Sequence, residues 1–151
     1  MYGSVNAVVA DGVMYLTASY NNVWALDATT GATLWKYSHQ LPGDLMFCCG
    51  PTNRGVAIAG DTLFMGTIDA HIVAVDAKSG RPLWNTPVAR PEGGYSITHA
   101  PLVIKDKVLV GVAGGEYGVR GFIAAYDVKT GKENWRFNTI PGPGEPGNET
   151  W

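Results

Sequence analysis

Little of this 151-residue chain is charged: 13 acidic and 11 basic residues leave a net charge of -2. No Lys/Arg run or basic patch is present to draw nucleic acid, and no basic amphipathic helix to lie on a membrane surface. Long apolar runs are missing too. Gly, Asp, Asn or Lys interrupts each one within about ten residues, well short of a membrane-spanning helix. Met1-Tyr2-Gly3-Ser4 lacks the charged start and apolar core of a secretory leader. Cysteine is confined to one adjacent pair, Cys48-Cys49, so no Cys-x-x-Cys-His haem-attachment motif occurs. What the chain has in quantity is turn formers. Twenty glycines and nine prolines favour many short strands joined by turns over helices, in a chain the length of one ordinary domain.

An internal repeat organises the rest. Ala25-Leu26-Asp27-Ala28-Thr29-Thr30-Gly31 leads after three residues to Trp35. Ala74-Val75-Asp76-Ala77-Lys78-Ser79-Gly80 leads likewise to Trp84, and Ala125-Tyr126-Asp127-Val128-Lys129-Thr130-Gly131 to Trp135. The aspartates recur at intervals of about 49 and 51 residues, a spacing found in propeller blades. Each Asp ends a strand of alternating apolar residues, and its carboxylate can accept backbone N–H bonds from the following turn. The glycine four residues on can take positive φ, and the returning strand carries a Trp large enough to fill the space against a neighbouring blade.

Two further strands precede each motif. The sequence predicts Ala7–Ala10 and Val13–Ala18 joined at Asp11-Gly12, a strong hairpin signal. It predicts Val56–Ala59 and Thr62–Gly66 turning at Gly60-Asp61, then Leu102–Ile104 and Val108–Val112 turning at Lys105-Asp106-Lys107. The expected fold is all-β: three four-stranded antiparallel sheets of a β-propeller, at about residues 5–38, 55–88 and 100–139. Propellers close with about four to eight blades, so the outer faces of the first and last sheets should expose apolar surface. That points to part of a longer protein or a piece that assembles with other chains, with residues 140–151 a loop leading to a further blade.

Two long connections break the repeat and hold its unusual residues. Leu41 to Gly55 contains Cys48-Cys49 and Arg54, and Val112 to Gly121 contains Gly114-Gly115-Glu116. Function tends to sit on loops held by a rigid scaffold. Adjacent cysteines are either two small buried thiols or a strained eight-membered disulfide ring. Their Cα atoms lie about 3.8 Å apart, below the usual disulfide range of about 4.4–6.8 Å. Glu116 is a hard oxygen donor suited to calcium, or a solvated hairpin-tip carboxylate. Arg54 is a forked donor to carbonyl or carboxylate oxygens, or a surface charge.

Together, the blade motif, Cys48-Cys49 followed by Asn53-Arg54-Gly55, and Gly114-Gly115-Glu116-Tyr117-Gly118-Val119-Arg120-Gly121 resemble the quinoprotein alcohol dehydrogenases, which depend on pyrroloquinoline quinone (PQQ). The resemblance runs from about Val8 to Trp151. It implies an eight-bladed propeller with PQQ near its axis and a vicinal disulfide of Cys48 and Cys49 against one face of the quinone. By the same resemblance Arg54 hydrogen-bonds the reactive quinone oxygens, and Thr98 contacts a cofactor carboxylate. Gly114 and Gly115 approach the cofactor through backbone N–H groups, and Glu116 is the bidentate ligand of calcium or a lanthanide. The catalytic aspartate, an asparagine metal ligand and a tryptophan over the other quinone face are implied beyond Trp151. Asp27, Asp76 and Asp127 occupy the repeated structural position and are not candidates for the base.

The implied activity is periplasmic oxidation of a primary or other small alcohol to the aldehyde. Hydride passes to metal-bound PQQ, and electrons then pass to cytochrome c or a quinone. This stretch departs from the family at three places. Ser4 stands near a common acidic contact, Ala113 replaces a small polar residue, and His99 replaces a small one. His39, His71 and His99 read as loop or strand histidines. The alternatives are a non-catalytic propeller scaffold, resembling outer-membrane assembly lipoproteins, or an inactive truncated product. A scaffold has no use for the cysteine pair or the Gly-Gly-Glu loop.

Overall fold

The computed structural model describes residues 6–45 and 50–150. Three four-stranded antiparallel sheets follow one another along the chain, each in sequential strand order. The first comprises β1 (Val8–Ala10), β2 (Val13–Ala18), β3 (Asn22–Asp27) and β4 (Thr33–Ser38). The second comprises β5 (Ala57–Ala59), β6 (Thr62–Gly66), β7 (His71–Asp76) and β8 (Pro82–Pro87). The third comprises β9 (Leu102–Ile104), β10 (Lys107–Gly111), β11 (Phe122–Asp127) and β12 (Glu133–Asn138). No helix among the described residues is long and apolar enough to cross a membrane.

The β1–β2 hairpin turns at Asp11 and Gly12, both at positive φ (49° and 77°), as the Asp-Gly pair predicts. The third-sheet hairpin is tighter than the sequence suggests. Lys107 pairs with Ile104, leaving a two-residue turn in which Lys105 takes φ 56°.

The motif aspartates do what their spacing predicts. Asp27 Oδ1 accepts the backbone N–H of Thr29 (2.9 Å) and Thr30 (2.7 Å) and the Thr30 hydroxyl (2.9 Å). Asp127 repeats the set with Lys129 and Thr130, and Asp76 accepts from the Ser79 N–H and hydroxyl. These bonds hold the carboxyls below the ordinary aspartate range. The largest cause is the Thr30 backbone bond for Asp27, the Ser79 hydroxyl for Asp76 and the Thr130 hydroxyl for Asp127.

A bulge follows in every sheet. The register slips between Ala25 and Leu26, between Ala74 and Val75, and between Ala125 and Tyr126, just where the facing strand enters its Trp. An extra residue there re-aims the side chains beyond it. Trp35 leaves the first sheet and donates its indole N–H to Ala77 O of the second (3.0 Å), and Trp84 donates to Val128 O of the third (3.1 Å). Both rings lie over the next motif's glycine. A Cβ on Gly80 would meet Trp35 Cε3 at 2.5 Å, and one on Gly131 would meet Trp84 Cε3 at 2.6 Å. Gly31 has nothing within 4 Å of that position, and Trp135 is 42% exposed.

Two apolar cores fill the joins. Tyr15, Val23, Ala25, Leu63, Met65, Val73 and Val75 lie between the first and second sheets. Phe64, Ile72, Ala74, Val108, Val110, Phe122, Ala124 and Tyr126 lie between the second and third. The middle sheet is therefore buried on both faces, so β6 and β7 read as continuous apolar runs. On the outer sheets Val9 and Phe137 are 61% and 65% exposed, the uncovered apolar surface expected of an incomplete propeller.

Candidate functional site

The candidate residues sit in the connections opposite the aspartate turns. The first sheet leaves through His39 into residues 40–56, and the second through Val88 into residues 88–101. The β10–β11 connection carries the glycine pair. Met46, Phe47, Cys48 and Cys49 lie outside the described residues, so the proposed cysteine pairing does too.

Asn53, 2% exposed, fixes the far end of the first connection. Its Nδ2 donates to Gly66 O (2.9 Å) and to Asn21 Oδ1 (3.3 Å), and its Oδ1 accepts the Gly55 N–H (3.1 Å). This amide holds the next residue, Arg54, at the surface. The Arg54 N–H donates to Thr98 O (3.0 Å), and its Nη1 donates to Thr98 Oγ1 (2.6 Å). Arg54 and Thr98, 44 residues apart, thus form one donor-rich unit with the guanidinium exposed and the hydroxyl buried.

Backbone carries the unit across to the third sheet. Ile97 N donates to Thr67 O (2.9 Å), and the Ile97 side chain packs on Gly66 so closely that a Cβ there could not fit. Ser96 and Ala113 exchange both main-chain bonds, 3.2 and 2.8 Å. The residues after Ala113 are Gly114, Gly115 and Glu116. Gly114 is buried at φ 126°, and a Cβ on it would collide with Gly94 O. Tyr117 in turn packs over Gly94, where a Cβ would meet its ring at 2.5 Å. Gly115–Tyr117 form one 3-10 turn closed by Gly118 at φ 70°, and Glu116 is exposed on it. The structure therefore joins Arg54 to Thr98 directly and links both through one antiparallel bridge to the Gly-Gly-Glu turn.

These groups are of the kinds that bind oxygen-rich anions and hard cations. A guanidinium and a hydroxyl supply hydrogen bonds, the exposed carboxylate of Glu116 supplies a hard oxygen, and glycine backbone permits close approach. A family model described as the glucose/ethanol/alcohol dehydrogenase β-propeller domain, under the heading PQQ, matches residues 2–151. This chain belongs to the PQQ-dependent quinoprotein alcohol dehydrogenase family. It is 47% identical over 142 residues to the quinoprotein ethanol dehydrogenase of Pseudomonas aeruginosa, covering 90% of this chain and 23% of that protein. Among solved structures, it superposes on the quinohemoprotein alcohol dehydrogenase from Comamonas testosteroni with a TM-score of 0.89 at 40% identity, covering 96% of this chain and 22% of the other. A europium-containing methanol dehydrogenase gives 0.85 at 43% identity, covering 89% and 24%. The chain spans less than a quarter of the length of these relatives.

Sequence reasoning missed one cluster. His39 and His71 are not isolated loop and strand histidines: both face the buried Asp69. His39 Nε2 lies 2.9 and 3.1 Å from the two Asp69 oxygens, and His71 Nδ1 lies 3.0 Å from Oδ2. Burial alone would raise the Asp69 carboxyl. Hydrogen bonds from His39, His71 and Thr67 outweigh it and hold the group far below the carboxylate range. The signal available in the sequence was Thr67-Ile68-Asp69-Ala70-His71, in which three polar residues stand between the apolar stretches Leu63-Phe64-Met65-Gly66 and Ile72-Val73-Ala74-Val75. His99 is a structural histidine. Its Nε2 accepts the Gly111 N–H (3.0 Å), which makes Nδ1 the donor to Ala100 O (2.8 Å).

Proposed function

We propose that this chain is part of a PQQ-dependent alcohol dehydrogenase and supplies one side of its cofactor site. The observation that carries the reading is the Arg54–Thr98 pair at 2.6 Å, tied by the Ser96–Ala113 bridge to Gly114-Gly115-Glu116. Arg54 would hold the quinone oxygens and stabilise negative charge developing there, and Thr98 would hold a cofactor carboxylate. Gly114 and Gly115 would let backbone N–H groups approach the cofactor. Glu116 would ligate calcium or a lanthanide through both carboxylate oxygens. Cys48 and Cys49 would pair as a vicinal disulfide and close one face of the cofactor pocket against water. When bound, metal-polarised PQQ supplies the hydride acceptor for a small alcohol, and the aldehyde is the product. The base that takes the alcohol proton is assigned to no residue of this chain. Electrons would leave to cytochrome c or a quinone.

A periplasmic location follows from the need for an oxidising compartment if the cysteines pair. Metal-loaded PQQ binding to the intact protein, followed by the cofactor's absorption, tests the reading. Arg54→Ala should weaken binding at least tenfold through loss of a charge-assisted bond worth roughly 1.5–3 kcal/mol. Glu116→Gln should abolish the metal dependence of binding. Unchanged PQQ affinity in both variants would overturn the assignment.

A further inference from the structure

His39, Asp69 and His71 belong to none of the residues assigned to the quinone or its cation. They come from different sheets: His39 follows β4, whereas Asp69 and His71 lie at the β6–β7 turn. The Asp69 side chain is only 3% exposed and that of His39 5%, while His71 is open to solvent at 25%. One ligand atom from each lies within 4.8 Å of the other two.

The turn that presents Asp69 is unusually fixed. Thr67 N and Oγ1 both bond to the His71 backbone, and Ala70 N donates to Thr67 O. Ala70 O accepts from both Val88 and Ala89. Ala70 itself sits at φ 57°, a strained conformation for a residue with a Cβ, and is fully buried. Backbone strain held this firmly by its surroundings is a feature of sites that position a ligand.

We propose that His39, Asp69 and His71 form a site for a divalent transition metal of the zinc type, pinning the first sheet to the second at the root of the Leu41–Gly55 connection. Two imidazoles and one carboxylate are the ligand set of zinc-type ions rather than of calcium or magnesium, which take oxygens. Three protein ligands leave a fourth position, reached past the exposed side of His71. Metal–ligand bonds of about 2.0–2.1 Å in a tetrahedron place ligand atoms about 3.3 Å apart. The nitrogens lie 2.9 and 3.0 Å from Asp69 Oδ2, a few tenths of an ångström short of that separation, and all three ligand atoms lie within 4.8 Å of one another. Binding puts the neutral-ring protons on Nδ1 of His39 and Nε2 of His71, so that the nitrogens facing Asp69 present lone pairs. The two hydrogen bonds to the carboxylate are exchanged for coordination bonds, and one negative charge meets two positive.

The test is calorimetric titration of the chelator-stripped intact protein with Zn²⁺ alone, without quinone or calcium, and a parallel Co²⁺ titration read by visible ligand-field absorption. We expect one bound equivalent and a tetrahedral Co²⁺ spectrum. Both should be lost in Asp69→Asn and weakened by at least about 10–100-fold in His71→Gln, the loss that even an outer-shell partner brings. Glu116→Gln should leave this binding unchanged, which separates the site from the quinone's cation. If Asp69→Asn does not fold, the partly exposed His71 provides the comparison. Absence of Zn²⁺ binding, or equal binding by wild type and His71→Gln, would overturn the proposal.

Discussion

Replacing Gly80 with alanine loads the join between the first and second sheets in a calculable way. Gly80 has φ 70°, so any L side chain there carries left-handed strain of about 1–2 kcal/mol. Its Cβ would also lie 2.5 Å from Trp35 Cε3 and 2.8 Å from Cδ2, two atoms of a rigid ring anchored by its own N–H bond to Ala77 O. Displacing that ring adds an overpacking cost of about 1–3 kcal/mol. Gly31 is the internal control. Its φ is 73°, but nothing lies within 4 Å of a Cβ there, so Gly31→Ala carries the strain alone. Urea unfolding of this chain followed by circular dichroism should place Gly80→Ala below Gly31→Ala by the overpacking difference. Adding Trp35→Leu should make Gly80→Ala cost no more than Gly31→Ala. Equal costs for the two alanines in the parent background would refute the view that the indole ring sets the glycine requirement.

The motif aspartates predict an acid limit. Their folded values lie below their unfolded ones, so their contribution is complete above about pH 5 and is lost as pH falls through the folded values. Melting temperature should therefore fall between about pH 5 and pH 2, with a shallower slope in Asp76→Asn; an unchanged slope would count against the turn bonds. Arg120 predicts the behaviour of the last segment. It donates to Ile140 O (2.8 Å) and pairs with Glu145, whose carboxylate also accepts the Gly142 N–H. Arg120→Met should speed proteolytic cutting between residues 141 and 150 while changing global stability by no more than about 1–2 kcal/mol.

The repeat made the sheets legible because each motif is local: Asp, turn, Gly and Trp fall within eleven residues, and short-range bonds satisfy the Asp and its turn. The strand bounds of β2, β6 and β9 follow directly from alternation and turn chemistry. What escaped the sequence depends on residues far apart. The bulge before each Trp needs knowledge of the facing strand, and the Trp–Gly contacts span 45 and 47 residues. Gly114 was read as a ligand approach, and the structure adds a packing reason, the backbone of Gly94 lying against it. The His39–Asp69–His71 cluster was illegible because 30 residues and a change of sheet separate its members, and no short motif joins them. Arg54 and Thr98 were named separately by resemblance, whereas their direct bond is a product of the fold.

The indole-over-glycine contact gives the array a polarity. Each sheet offers a projecting ring on its outgoing strand and a bare backbone hollow at its own turn, and the two are not interchangeable. Sheets joined this way follow one another in a single direction, each step repeating the same indole contact. Such head-to-tail contacts form a ring when the steps return to the start and an open spiral when they do not. Any change in the size of the ring or the depth of the hollow therefore alters the pitch of the succession as well as its strength. The placing of the connections that carry Arg54, Thr98 and Glu116, at the opposite ends of the sheets, is in this sense governed from the aspartate turns.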